Sequence, residues 1–130
     1  MNFQASIVEA NEDEELGVIT VHFDSGDDHY MQFQGASIGF EEEYYDNGYV
    51  YAEIDDQIWS GYDCFTNVRL TRGKIELLGI SDERMCKRAE QVEVMFAIDC
   101  AKFDRLTSLL QKMFRDCPRK LEIEAEPSGG

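Results

Sequence analysis

The 130 residues hold 27 Asp and Glu against 12 Lys and Arg, a formal net charge of −15, and 43% of them are hydrophobic, with eight Phe, six Tyr and one Trp. This is enough apolar mass for one buried core, but the balance is too acidic for a nucleic-acid or anionic-membrane surface, because phosphate binding needs clustered Lys and Arg. No run of about 18 apolar residues exists to cross a bilayer, and Met1-Asn2-Phe3-Gln4 does not open a signal peptide, so a soluble cytoplasmic protein is expected.

Phe3 to Val8 and Val18 to Phe23 read as strands, the second by its alternation of Ile19, Val21 and Phe23 against Val18, Thr20 and His22. Asn11 to Glu15 between them reads as a solvated connection. Asp24-Ser25-Gly26-Asp27-Asp28 is a turn, with Tyr30 to Gln34 returning as an antiparallel partner. Phe40 to Tyr45 and Tyr49 to Ile54 flank Asp46-Asn47-Gly48, whose Asn and Gly suit the positive φ of a type I′ hairpin. Asp55 to Asp63 shows no clean period and reads as an irregular loop around the single Trp59.

Strands resume at Phe65 to Leu70 and Lys74 to Leu78 around the turn Thr71-Arg72-Gly73, and again at Val92 to Ile98. Ser81 to Ala89 predicts a short helix with Ser81 as N-cap. The clearest helix is Cys100 to Asp116: Asp99 is its N-cap, Phe103, Leu106, Leu110, Met113 and Cys117 recur at steps of three and four, and Pro118 stops it. Leu121 to Ala125 reads as a last edge strand. The expected fold is a single α+β domain over residues 1–126, a predominantly antiparallel β-sheet packed against one C-terminal helix, with residues 127–130 as a flexible tail.

Charge is distributed unevenly along the chain. The first Lys or Arg is Arg69, so sixteen of the carboxylates precede every fixed positive charge. Like charges at this density repel one another within the compact state, yet they attract cationic proteins and speed encounter with them. An acidic protein-binding surface follows. Glu41, Glu42, Glu43, Tyr44 and Tyr45, with Tyr49, Tyr51 and Glu53 on the same hairpin, combine carboxylates with the tyrosines that interfaces favour. Asp55, Asp56 and Asp63 surround Trp59 and suggest a second contact, although a lone Trp is more often core packing and alternate tyrosines more often point inward.

Other chemistry lacks a motif. Cys64, Cys86, Cys100 and Cys117 stand 22, 14 and 17 residues apart, without a Cys-x-x-Cys pair, and are expected to be reduced. Arg84, Lys87 and Arg88 around Cys86 would favour its thiolate, but no partner is placed to make it catalytic. Asp24, Asp27 and Asp28 do not follow the calcium-loop order. His22 and His29 could bind a metal only if the hairpin brought them together, and chance alone pairs some of 27 acids at glycosidase spacing. No hydrolase elbow, phosphate loop or His-Glu-x-x-His is present. A non-enzymatic binding protein without cofactor or metal is expected, with a small hydrolase or metal enzyme using His22 or His29 as the weakest reading.

The run Gly48-Tyr49-Val50-Tyr51-Ala52-Glu53-Ile54-Asp55-Asp56-Gln57, then Gly61-Tyr62-Asp63-Cys64 and Val68-Arg69-Leu70-Thr71-Arg72, resembles the immunity protein 10 family of bacterial polymorphic toxin systems. Val92 to Ile98 and the helix through Phe103 and Leu106 resemble its ending, so the similarity spans about residues 44 to 116. The span Ile58-Trp59-Ser60 and the acidic first 40 residues depart from it. The resemblance implies a small β-rich protein that binds a cognate toxin domain in the producing cell and blocks it; the acidic charge adds the expectation of a basic toxin whose active or substrate-binding surface is occluded. Glu41, Glu42, Glu43, Tyr44, Tyr45, Asp55, Asp56 and Trp59 are the expected toxin contacts. Asp56, Gln57, Tyr62, Asp63 and Cys64 suit either a structural or a contact role. The alternative is an acidic adaptor or nucleic-acid mimic that binds basic host proteins, and an unpaired sheet edge would allow a homodimer.

Overall fold

A computed structural model describes residues 1–37 and 50–124. Among the described residues, ten strands form two five-stranded sheets. The first sheet runs in chain order, with β2 (Ile7–Asp13), β3 (Val18–Asp24), β4 (Tyr30–Ala36), β5 (Tyr51–Ile54) and β6 (Asp56–Tyr62) each antiparallel to the next. The second has the order β1 (Asn2–Gln4), β9 (Val92–Met95), β8 (Lys74–Leu78), β7 (Asn67–Thr71) and β10 (Leu121–Ile123). Its outer strands β1 and β10 pair in parallel with β9 and β7, while its central pairs are antiparallel. Two helices complete the described fold, α1 (Glu83–Arg88) and α2 (Cys100–Met113). The α+β class, with mostly antiparallel strands against one main C-terminal helix, is as expected from the sequence, and the strands divide between two sheets.

Alternation explains why the sheets face each other. Ile19, Val21 and Phe23 of β3, Met31 and Phe33 of β4, and Ala52 and Ile54 of β5 are fully buried, as are Val68, Leu70, Ile75, Leu77 and Val94 of the second sheet. These residues join one hydrophobic cluster, which α2 enters with Leu106, Leu109, Leu110 and Met113. A period of two in the strands and near 3.6 in the helix gives each element one apolar side. Ring contacts bridge the layers: Phe33 meets Phe65 edge-on at 6.1 Å, and Phe65 meets Phe114 at the same distance. Gly35 lets α2 approach β4, since a Cβ there would lie 2.5 Å from the Met113 Cγ. No helix among the described residues is long and apolar enough to cross a membrane.

Several local expectations are corrected. Phe3 to Val8 is two strands, because the chain changes sheets between them: Ala5 N–H donates to the Met95 carbonyl at 2.8 Å and Ser6 N–H to the Asp24 carbonyl at 2.9 Å. Asn11, Glu12 and Asp13 belong to β2 rather than to a connection, held by pairing with Val18 to Thr20, and the turn is confined to residues 14–17. Asp55 to Asp63 is chiefly a strand, β6. Most of its residues are solvent-facing, so burial imposes no alternation, and its conformation comes from hydrogen bonding to β5 after a register shift between Glu53 and Ile54. Asp82, not Ser81, caps α1 by accepting from Met85 N–H at 3.0 Å.

Asp99 caps α2 as expected, accepting from Lys102 N–H at 2.8 Å, but the helix ends at Met113, short of Asp116. Pro118 then opens a 3-10 turn that delivers the chain to β10. β9 stops at Met95, although Phe96 continues the buried face as expected. The expected strand Phe40 to Tyr45, its Asp46-Asn47-Gly48 turn and the tail 127–130 lie outside the described residues.

Gly79 fixes the exit from β8. Its φ is +67°, and a Cβ would fall 2.2 Å from the Thr66 Oγ1. Gly79→Ala combines a left-handed backbone with a clash and is expected to lower stability by about 2 kcal/mol. Urea denaturation reads this directly.

Candidate functional site

The first sheet has one face against the core and one facing outward. Register places Glu9, His22, Gln32, Glu53 and Ser60 in one cross-strand row of the outer face, and Asn11, Thr20, Gln34, Tyr51 and Tyr62 in the next. Tyr30 and Asp24 pair beside them. None of the five strands contains a Lys or Arg. Strand alternation sends one set of side chains inward and leaves this polar, acidic and tyrosine-bearing set outside.

The basic residues of the later half neutralise other regions. Lys112 on α2 reaches Glu12 at 2.8 Å, and Arg105 donates to the Ala10 carbonyl at 3.0 Å, both from the helix side of β2. The hydrogen bonds from Lys112 and Ser37 hold the Glu12 carboxyl below its ordinary value, against the opposing effect of burial. On the outer face of the second sheet, Arg69 pairs with Glu122 at 3.2 Å and Lys74 with Glu76 at 3.4 Å. The two outward faces therefore differ in kind: one mixes both signs of charge, while the strands of the other supply carboxylates alone.

Glu53 is the centre of that acidic face. It is only 7% exposed, and the hydroxyls of Tyr30 and Tyr51 both donate to its carboxylate. Burial, then the bond to Glu53, pushes the Tyr51 phenol up to about 12 and raises the Tyr30 phenol further, so both remain protonated donors at neutral pH. Aromatic pairs extend from either side: Tyr51 and Tyr62 have ring centroids 5.2 Å apart, and His22 and Tyr30 stack at 5.4 Å. The His22 ring nitrogens lie 2.8 Å from Gln32 Oε1 and 3.2 Å from Asp24 Oδ2. A Gly26 N–H bond is the main cause of a lowered Asp24 carboxyl.

The residues expected as toxin contacts have different fates. Glu41, Glu42, Glu43, Tyr44 and Tyr45 lie outside the described residues. Asp56 is exposed on β6. Asp55 is instead an internal carboxylate with a side chain 4% exposed: it accepts from Arg88 Nε at 2.9 Å, from Tyr30 N–H at 2.9 Å, and lies 3.0 Å from His29 Nδ1. Burial alone would raise its carboxyl, but Arg88, His29 and the Tyr30 amide together hold it low. Trp59 is partly buried with the Arg88 guanidinium 4.9 Å over its ring. Both residues tie α1 to the β5–β6 corner: Asp55 is not the free acid expected of it, and Trp59 has the packing role that a lone Trp more often takes.

No protein-family model, no curated protein and no solved structure matches the chain. The site must be judged on its own geometry.

That geometry also sorts the segment around Tyr62. Asp63 forms an ion pair with Lys120, and its N–H donates to the Val50 carbonyl at 3.0 Å. Cys64 is buried with its sulfur 3.2 Å from Met85 Sδ. These two hold the chain together, whereas Tyr62 is 57% exposed on the outer face. The two histidines sit in separate networks, His22 with Gln32 and Asp24, His29 with Asp55. Among the described residues no three His, Cys, Asp or Glu side chains converge to hold a metal ion. Tyr30 and Gln32 are the site residues that the sequence reading leaves unmarked, and their signal is the polar half of the β4 alternation.

Proposed function

We propose that this chain is an immunity protein that acts in the cytoplasm by binding a cognate, basic toxin domain and covering its active or substrate-binding surface. The observation that carries the reading is the outward face of the first sheet, a broad tyrosine-bearing surface built on strands with several carboxylates and no Lys or Arg. Such a face attracts a cationic protein and offers it aromatic contact area at low entropy cost. A toxin that works on nucleic acid needs a basic surface of its own, and this face complements it. The resemblance of residues 44 to 116 to the immunity protein 10 family points the same way. Occlusion needs no catalytic group on the inhibitor.

The test is capture of partners from the source cell's lysate at low and at physiological salt. A single basic toxin domain retained at physiological salt, with its activity abolished at equimolar inhibitor, is the expected result. Many basic proteins released together as salt rises would replace the immunity reading with that of a nucleic-acid mimic.

A further inference from the structure

The buried charge of Glu53 is the least expected group on this face. Buried carboxylates in folded proteins are ordinarily paired with a cation or a metal, because hydrogen bonds alone leave much of the desolvation cost uncovered. Asp55 and Glu12, the other well-buried carboxylates considered above, follow that rule through Arg88 and Lys112. Glu53 has two phenol donors and no cationic partner among the described residues. Those phenols satisfy two of the roughly four acceptor positions of a carboxylate.

We infer that Glu53 is the counter-ion for an arginine side chain of the protein partner, which docks on the outer face with its guanidinium between the rings of Tyr30, Tyr51 and Tyr62. This assignment deepens the docking face proposed above and rests on it. The occupant is specified by charge complementarity and shape together. A guanidinium presents planar N–H donors that fit the unfilled acceptor positions of a carboxylate, and its faces stack on phenol rings. Ser60 and Gln32, the cross-strand neighbours of Glu53, supply polar groups around it and no competing cation. An arriving side chain meets the exposed Tyr62 first, and rotation of one phenol opens the carboxylate to it. The Tyr30 and Tyr51 hydroxyls hold the carboxylate in place until then.

The probe is the blocked peptide Gly-Arg-Gly, titrated at low salt into protein carrying isotope-labelled tyrosine rings and followed by NMR. The expected result is saturable shifts confined to the rings of Tyr30, Tyr51 and Tyr62, absent when citrulline replaces arginine. Glu53→Gln, which keeps the shape and an acceptor for the phenols, should weaken this binding by tenfold or more. Should that variant prove unfolded, Tyr30→Phe provides a second test: it keeps the charge and removes one donor, so peptide binding should tighten severalfold. Equal binding by Glu53→Gln, shifts spread evenly over all six tyrosines, or weakened binding by Tyr30→Phe would each overturn the assignment. Failure of the immunity reading looks different, because capture of no toxin would leave the peptide result standing, whereas a silent peptide titration would leave the toxin result standing.

Discussion

Asp55→Ala should cost about 4 kcal/mol of folding stability, among the larger losses available to any single side chain in this protein. The carboxylate is 4% exposed and joins three elements: Arg88 from α1, Tyr30 N–H from β4, and its own corner between β5 and β6. Removing it leaves the guanidinium without its partner and the Tyr30 amide without its acceptor. Alanine would also have to adopt the φ of +64° that Asp55 occupies, a conformation aspartate tolerates better. Equilibrium denaturation against Asp55→Asn, which keeps the backbone tolerance and one acceptor, separates the contributions, and the asparagine variant should lose about half as much.

The same pair sets an acid limit. The folded Asp55 carboxyl is held below its unfolded value, so its contribution is present above the ordinary aspartate range and is lost as pH falls through the lower folded value. The stability gap between the native chain and Asp55→Asn should therefore be present at about pH 5 and shrink steadily below about pH 4. A gap that stayed constant down to pH 3 would mean that Asp55 gains nothing from its charge.

Reversing charge on the outer face should slow partner association by about tenfold to a hundredfold at low salt. Glu9 on β2 and Asp56 on β6 are exposed at opposite margins of the first sheet, so Glu9→Lys with Asp56→Lys changes the field across the whole face. The control is Glu122→Lys with Glu124→Lys, which alters net charge equally on the far side, where those carboxylates lie near Arg69. Stopped-flow association with the partner that the capture experiment yields distinguishes the two pairs. Rim charges act mainly on the on-rate, so the difference should fade as salt shortens the screening length. Equal slowing by both pairs would mean that net charge alone steers the encounter and that the outer face has no special part.

Legibility followed burial. Val18 to Phe23 could be read with its faces assigned because every second residue enters the core, and α2 could be read because four buried residues recur on its inner side. β6 escaped notice for the opposite reason. With little of it buried, the pattern that marks a strand is missing, and only its pairing with β5 shows what it is. The tyrosine and acid patch was partly legible: Tyr51 and Glu53 stood out as neighbours in sequence, but Tyr30 joins them from a separate strand more than twenty residues earlier. Asp55 looked like free surface because its partner, Arg88, lies 33 residues away along the chain.

By itself the sequence determined the α+β class, the apolar faces of the clearest strands and helix, and the confinement of all fixed positive charge to the later residues, since periodicity and composition are local properties. Tertiary structure decided which carboxylates those late bases reach. Sheet pairing and helix docking place Arg88 on Asp55, Lys112 on Glu12 and Arg69 beside Glu122, and they leave the outward strands of the first sheet acidic around a buried Glu53 that no cation among the described residues reaches. Whether a charge is neutralised depends on distance in space, and only the folded chain sets that distance.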